Sequence, residues 1–294
     1  MCSAVEEEST EADTRRASIR AGDDDRQART ADSLIRRESV VNVHMDVHVR
    51  GGPAAPFLSA ADLFATEYEI DGDVTVRVRE DPNERTRVSH DEESHCLTIS
   101  RQAATSAMAR ELALHEFAHM HRYEESHPSH TQSTREAIYL ALAGQSVERR
   151  TLSHCYQIAN HMKDIYADDV WLDVVPADKL VAFLESSLAA AVADTPRDRG
   201  AWDRLTPATD PDINAVNAAF ALALVERHEL VGPEHPIYDL AHAAAEDAPH
   251  VGFDGFKRRF RTLARDTDES EYRKALVDVT RAYAVASNGD SAAD

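Results

Sequence analysis

The stretch MARELALHEFAH, residues 108–119, decides how the rest of the chain is read. Met108, Leu112, His115, Ala118 and His119 recur at spacings of three and four, which puts them on one face of an α-helix turned toward a core. His115 and His119 stand one turn apart on that face, so both imidazoles can reach a single metal ion. Glu116 leaves the same turn, where its carboxylate can take a proton from a water on that metal. The chain's own His and Glu content gives about 0.06 chance occurrences of H-E-x-x-H. Two buried imidazoles beside a carboxylate, with no ion among them, would be costly to desolvate. Seven of the fifteen histidines lie between residues 115 and 161.

A zinc site needs a further protein ligand. The helix expected over 152–170 carries His161, Asp164 and Asp168 within roughly 60° of one stripe, and each can serve. Asp164-Ile165-Tyr166-Ala167-Asp168 resembles a second motif of the gluzincin metallopeptidases. In that family the helix after H-E-x-x-H carries E-x-x-x-D, often E-x-x-A-D. Its glutamate binds zinc and its aspartate supports a ligand histidine. The chain is also similar to uncharacterised archaeal proteins that pair H-E-x-x-H with a downstream D-I-Y-A-D segment. The resemblance covers roughly residues 100–170. It implies one Zn2+ per chain on His115, His119 and Asp164, with Asp168 fixing the tautomer of a ligand imidazole. Asp164 stands where the family has glutamate and is one methylene shorter, so the two helices must approach more closely, or His161 or Asp168 takes the third position.

The resemblance further implies a zincin-like fold and a zinc-dependent metallopeptidase acting on a peptide or protein. Glu116 would be the general base that activates the metal's water and then protonates the leaving amine. Tyr123, His127, His130 and Tyr166 are candidates to steady the oxyanion. The alternative is a non-catalytic zinc protein that keeps the helix for structure or regulation. Glu116 argues for catalysis, since a closed structural site has no use for a free carboxylate beside its metal. Hydrolysis of a non-peptide amide would use the same residues. A di-iron bundle site would need a second E-x-x-H on a facing helix, and Glu92/His95 and Glu124/His127 fall in a loop and at a helix end.

Outward from the motif, the chain reads as α+β and mainly helical. Alternation predicts a strand over 41–49 and another at Val74, Val76 and Val78, with a third from His95 to Ile99. A short helix is expected over 61–69 and a polar loop over 80–94. Ser100 is a plausible N-cap. Helices are expected near 101–124, 132–149, 152–170, 177–193, 211–228, 236–246, 253–266 and 270–286. Residues 1–40 are acidic, lack apolar periodicity and are expected to be disordered; Met45 is a candidate for the true start. A zincin-like metal-binding domain is expected over 41–200 and a helical subdomain over 201–294, with 195–210 as the boundary.

Composition narrows the partners. There are 53 Asp+Glu against 32 Lys+Arg, a formal charge of −21. Such a surface repels phosphate, which disfavours nucleic acid and anionic membranes. The acidity and the scarcity of lysine suit a halophilic, high-salt cytosol that screens self-repulsion. No apolar run is long enough to span a bilayer. Three scattered cysteines make no disulfide framework, pointing to a reduced cytoplasmic setting. Cys155 reads as a buried thiol. No glycine-rich phosphate cradle and no G-x-S-x-G occur. Lys257, Arg258, Arg259, Arg261 and Arg265 make one basic helix face, expected to pair with the acidic surface.

Overall fold

The computed structural model describes residues 45–82, 84–91, 93–193 and 210–291. The expected acidic segment, the first residues of the 41–49 strand and the boundary 195–209 lie outside the described residues.

Strand β1 (Val47–Arg50) is joined to β2 (Asp73–Arg79) by helix α1 (Ala55–Phe64), and the two strands pair in parallel with Val47 opposite Val74. A crossover helix is what a parallel pair requires. Gly51 and Gly52 make the exit from β1 possible. Gly51 has a φ of +84°, and a Cβ on it would stand 2.7 Å from the Val78 carbonyl oxygen. Residues with side chains have little access to either condition. In β2, Val74, Val76 and Val78 are buried and the residues between them face outward, the period of a half-covered strand.

β3 (Arg87–His90) and β4 (Ser94–Ser100) complete a four-stranded sheet in the order β1-β2-β4-β3. β4 is parallel to β2, and β3 is antiparallel to β4 with His90 opposite His95. The expected polar loop therefore contains a strand. Arg87 and Ser89 face water, and an edge strand needs only one partner, so its sequence carries little apolar signal.

Ser100 does cap a helix, its hydroxyl accepting from Ala103 N at 3.1 Å. The single helix expected over 101–124 is two, α2 (Arg101–Ala104) and α3 (Ala109–Glu124). Thr105 and Ser106 hydroxyls donate to the Arg101 and Ala103 carbonyls at 2.9 and 2.8 Å, taking acceptors that a continuing helix would use. The first helix lies at 55–64 rather than 61–69, with Pro56 in its first turn. Helices α4 (Pro128–Thr131) and α5 (Thr134–Ala141) replace the expected 132–149, and Gly144 at φ +79° lies in the turn that follows.

The long α6 (Arg149–Val174) and α7 (Asp178–Ala193) follow, then α8 (Pro211–Arg227), α9 (Ile237–Ala245), a short 3-10 turn, α10 (Phe253–Arg261) and α11 (Glu269–Ser291). The protein is thus α+β and mostly helical, its small sheet near the N-terminus. α8 is buried on nearly all sides: Ile213, Val216, Ala219, Leu222 and Val225 are at or near zero exposure. A helix apolar all round belongs inside a core. In α10, Phe256 and Phe260 are buried while Lys257 and Arg261 bond Glu226 of α8 at 3.1 and 2.7 Å. No helix among the described residues is long and apolar enough to cross a membrane.

Candidate metal centre

α3 and α6 run in opposite senses past each other, so residues pair in reverse order. His115 meets Asp168 and His119 meets Asp164, while Arg122 Nε donates to the Tyr166 carbonyl at 2.9 Å. Buried Phe117, Ala118, Ile165 and Ala167 pack into the surrounding core. The motif's polar face looks the other way, into a cleft of about 770 Å³ lined by His115, Glu116, His119 and Asp164.

In that cleft His115 Nε2 and His119 Nε2 stand 3.1 Å apart. Asp164 Oδ1 lies 3.3 Å from the latter and 3.9 Å from the former. Four ligands at tetrahedral zinc distances stand roughly 3.3–3.4 Å from one another, so the three donor atoms are already spaced for one ion. Their lone pairs are aimed by the groups behind them. Asp168 Oδ1 lies 2.8 Å from His115 Nδ1. An ionised carboxylate only accepts, so in the neutral ring Nδ1 carries the hydrogen and Nε2 is the nitrogen a metal would take.

Behind His119 stands a longer chain. His119 Nδ1 is 2.7 Å from His130 Nε2, His130 Nδ1 is 2.7 Å from Ser129 Oγ, and Ser129 Oγ is 2.7 Å from His127 Nδ1. With His119 Nε2 bare, each group donates to the next: His119 to His130, His130 to Ser129, Ser129 to His127. His127 also caps α4, accepting from Ser129 N.

The electrostatics favour a cation at this point. Burial alone would depress His115, but the carboxylates of Asp168 and Asp164 reverse that and push it up to about 10. Burial raises Asp164, yet the close approach of His119 and His161 and the charges of His119 and His115 hold it far below the usual carboxylate range. Glu116, half-buried beside them, is raised by desolvation, with His119 and His115 pulling the other way. Burial and the neighbouring His119 hold His130 well below its ordinary value.

His161, another candidate ligand, has its Nε2 2.8 Å from Asn217 Oδ1 and its ring stacked on Phe220 at 4.4 Å. It braces Asp164 from 3.5 Å. Of the four oxyanion candidates, His130 lines the cleft; Tyr123, His127 and Tyr166 do not. Sequence reading missed His90, which does. His95 Nε2 lies 2.8 Å from Glu124 Oε1, and His95 Nδ1 lies 2.8 Å from His90 Nδ1. The same tautomer logic makes His95 donate to Glu124 and His90 donate to His95, leaving His90 Nε2 bare. Burial, then His95, His119 and Lys163, bring His90 down to about 4. Its position in a strand read as a loop concealed it.

A second cluster of like donors, His154, Asp210 and Asp212, is fully buried. There Arg150 grips Asp210 through two hydrogen bonds of 2.7 Å and approaches Asp212 at 3.2 Å. Tyr283 donates to Asp212 at 3.2 Å and His250 lies 3.0 Å from it. A guanidinium already fills the place of a cation.

Fold and site together define an α+β, mainly helical protein with a His-His-Asp cluster and a free glutamate in an open cleft. The family model that describes this chain covers residues 45–285, and the chain belongs to that family, a family of unknown function (DUF5781). No curated protein and no solved structure matches it.

Proposed function

We propose that the protein is a zinc-dependent metallopeptidase of zincin-like build, working in the cytoplasm. The observation that carries the reading is the mutual spacing of His115 Nε2, His119 Nε2 and Asp164 Oδ1 at 3.1, 3.3 and 3.9 Å, with Glu116 in the same cleft. The donor set fits: two imidazoles and a carboxylate leave a fourth position open, as in catalytic rather than structural zinc sites. Asp164 serves as the third ligand, His161 and Asp168 being committed to Asn217 and His115.

Zinc held there would polarise a scissile carbonyl and acidify a water. The chain's own residues do the rest. Glu116, raised by burial, accepts a proton on its carboxylate and returns it to the departing amine. Asp168 keeps His115 in the tautomer with Nε2 free, and His130 does so for His119. β3 is the sheet's edge and its Arg87, Val88 and His90 border the cleft, so an extended peptide can lie along it as an added strand.

The test is metal content by mass spectrometry on the purified full chain, followed by a peptide-hydrolysis screen. About one zinc per chain and hydrolysis abolished in Glu116→Gln are expected. Zinc with no Glu116-dependent hydrolysis would favour a binding role; no zinc bound or taken up would end the reading.

A further inference from the structure

The cleft has two unlike ends. Beyond His115, toward the start of α3, its walls are Leu112, Trp171, Leu180 and Leu184. Trp171 makes an edge contact with the His115 ring at 6.2 Å, which fixes that end relative to the metal ligands. Its indole Nε1–H is buried and has no hydrogen-bond partner, although the residue is only 4% exposed. This end therefore offers an apolar wall.

Beyond His119 the cleft is polar and cationic. Two basic side chains line it, Arg87 and Lys163. Arg87 is already paired with Glu84 at 2.7 Å. The Lys163 ammonium makes no ion pair or hydrogen bond among the described residues, and the acid it feels is Asp164. Lys163 precedes Asp164 on α6, at the level where that helix meets His119, which places it at this end of the cleft. In a chain of net charge −21, a half-buried lysine left without a partner beside a cluster of metal ligands is conspicuous. Among the described residues no carboxylate stands within ion-pair distance of it.

Resting on the peptidase reading, we propose a substrate class for the site. It takes a peptide with a bulky apolar side chain on the acyl side of the scissile bond, seated against Trp171 and Leu184, and a carboxylate on the amine side, held by Lys163. The carboxylate is the C-terminus of the peptide or the side chain of an acidic residue.

Titration calorimetry on the zinc-loaded full chain carrying Glu116→Gln, which removes turnover, tests this with four probes. They are N-acetyl-Phe-Ala, its C-terminal amide, N-acetyl-Phe-Asp amide and N-acetyl-Ala-Ala. A free carboxylate should bind about tenfold more tightly than the plain amide. That ratio should collapse to about one when Lys163→Met is added and persist with Lys163→Arg. The Asp amide separates the two sources, matching the free acid if a side-chain carboxylate serves. N-acetyl-Ala-Ala should bind about tenfold more weakly for want of the aromatic side chain. Equal binding of acid and amide, no binding of any probe, or a ratio indifferent to Lys163→Met would overturn the proposal. Incubating the same peptides with the unsubstituted chain keeps the two readings apart. A carboxylate preference without cleavage sinks the peptidase and keeps the recognition; cleavage without preference does the reverse.

Discussion

Two clusters in this molecule are built from nearly the same donors and are disposed for different ends. His115, His119 and Asp164 line an open cleft, and the groups behind them are acceptors that turn each imidazole's lone pair inward. His154, Asp210 and Asp212 are fully buried, and Arg150 already neutralises the carboxylates. Donor type does not make a metal site. What separates the two is whether a fixed cation has been built in and whether solvent can deliver a mobile one. The first cluster has excess negative charge and an entrance; the second has a guanidinium and Tyr283 in the space an ion would occupy.

The largest effect that would break this contrast concerns the ligands. His115→Ala/His119→Ala should take zinc from about one per chain to none, while His154→Ala leaves the content unchanged. Metal retained by the double variant would move the site elsewhere.

Next comes the counter-charge of the buried cluster. Arg150→Met should lower stability by about 2 kcal/mol, less than for a wholly buried pair because the guanidinium is partly exposed. Chemical denaturation reads this directly. A stable Arg150→Met chain that acquired a second zinc would show that the guanidinium alone excluded the ion.

The support behind His115 should matter less than the ligands themselves. Asp168→Asn should weaken zinc by about 10–100-fold in a competitive chelator titration, with the fold intact by circular dichroism. His130→Gln should weaken it by less, because His119 keeps its bare Nε2.

The smallest effect is a pH dependence in the buried cluster. Burial raises Asp210, but bonds from His154 and Arg150 more than offset this and hold it well below the usual range. A depressed carboxylate contributes stability above its unfolded value of about 3.9 and loses it as pH falls through the folded value. Melting temperature should therefore fall as pH drops below about 4. Asp210→Asn should start lower at pH 6 and flatten that decline; a parallel curve would mean Asp210 plays no part.

The sequence made part of this visible for a physical reason. His115 and His119 share a helix, and Asp164 and Asp168 share another, so spacing alone puts each pair on one face. That the helices run oppositely, so that His115 meets Asp168 and His119 meets Asp164, is a tertiary fact that only the structure supplies. Lys163 carries no signal of its own in the sequence, and its place in the cleft is a tertiary fact. His130 and His90 could not be placed, since a loop and an unrecognised edge strand carry no periodicity to orient them. The buried cluster joins residues 154 and 210 across a long separation, and the cap that Asp210 makes on α8 gives no hint of Arg150.

α8 sets a timetable for the site. Asn217 fixes His161, Phe220 stacks on its ring, and Leu224 lines the cleft, all from a helix that begins at Pro211. During synthesis, α3 and α6 leave the ribosome well before α8 does. Until α8 docks, His161 has nothing to hold it and Asp164 lacks its brace. Chains cut short before residue 211 would carry every ligand and still lack the wall that makes a cleft of them. On the metallopeptidase reading, metal capture would therefore be a late event in this protein's biogenesis, and a nascent chain stalled early has no finished cleft in which to act.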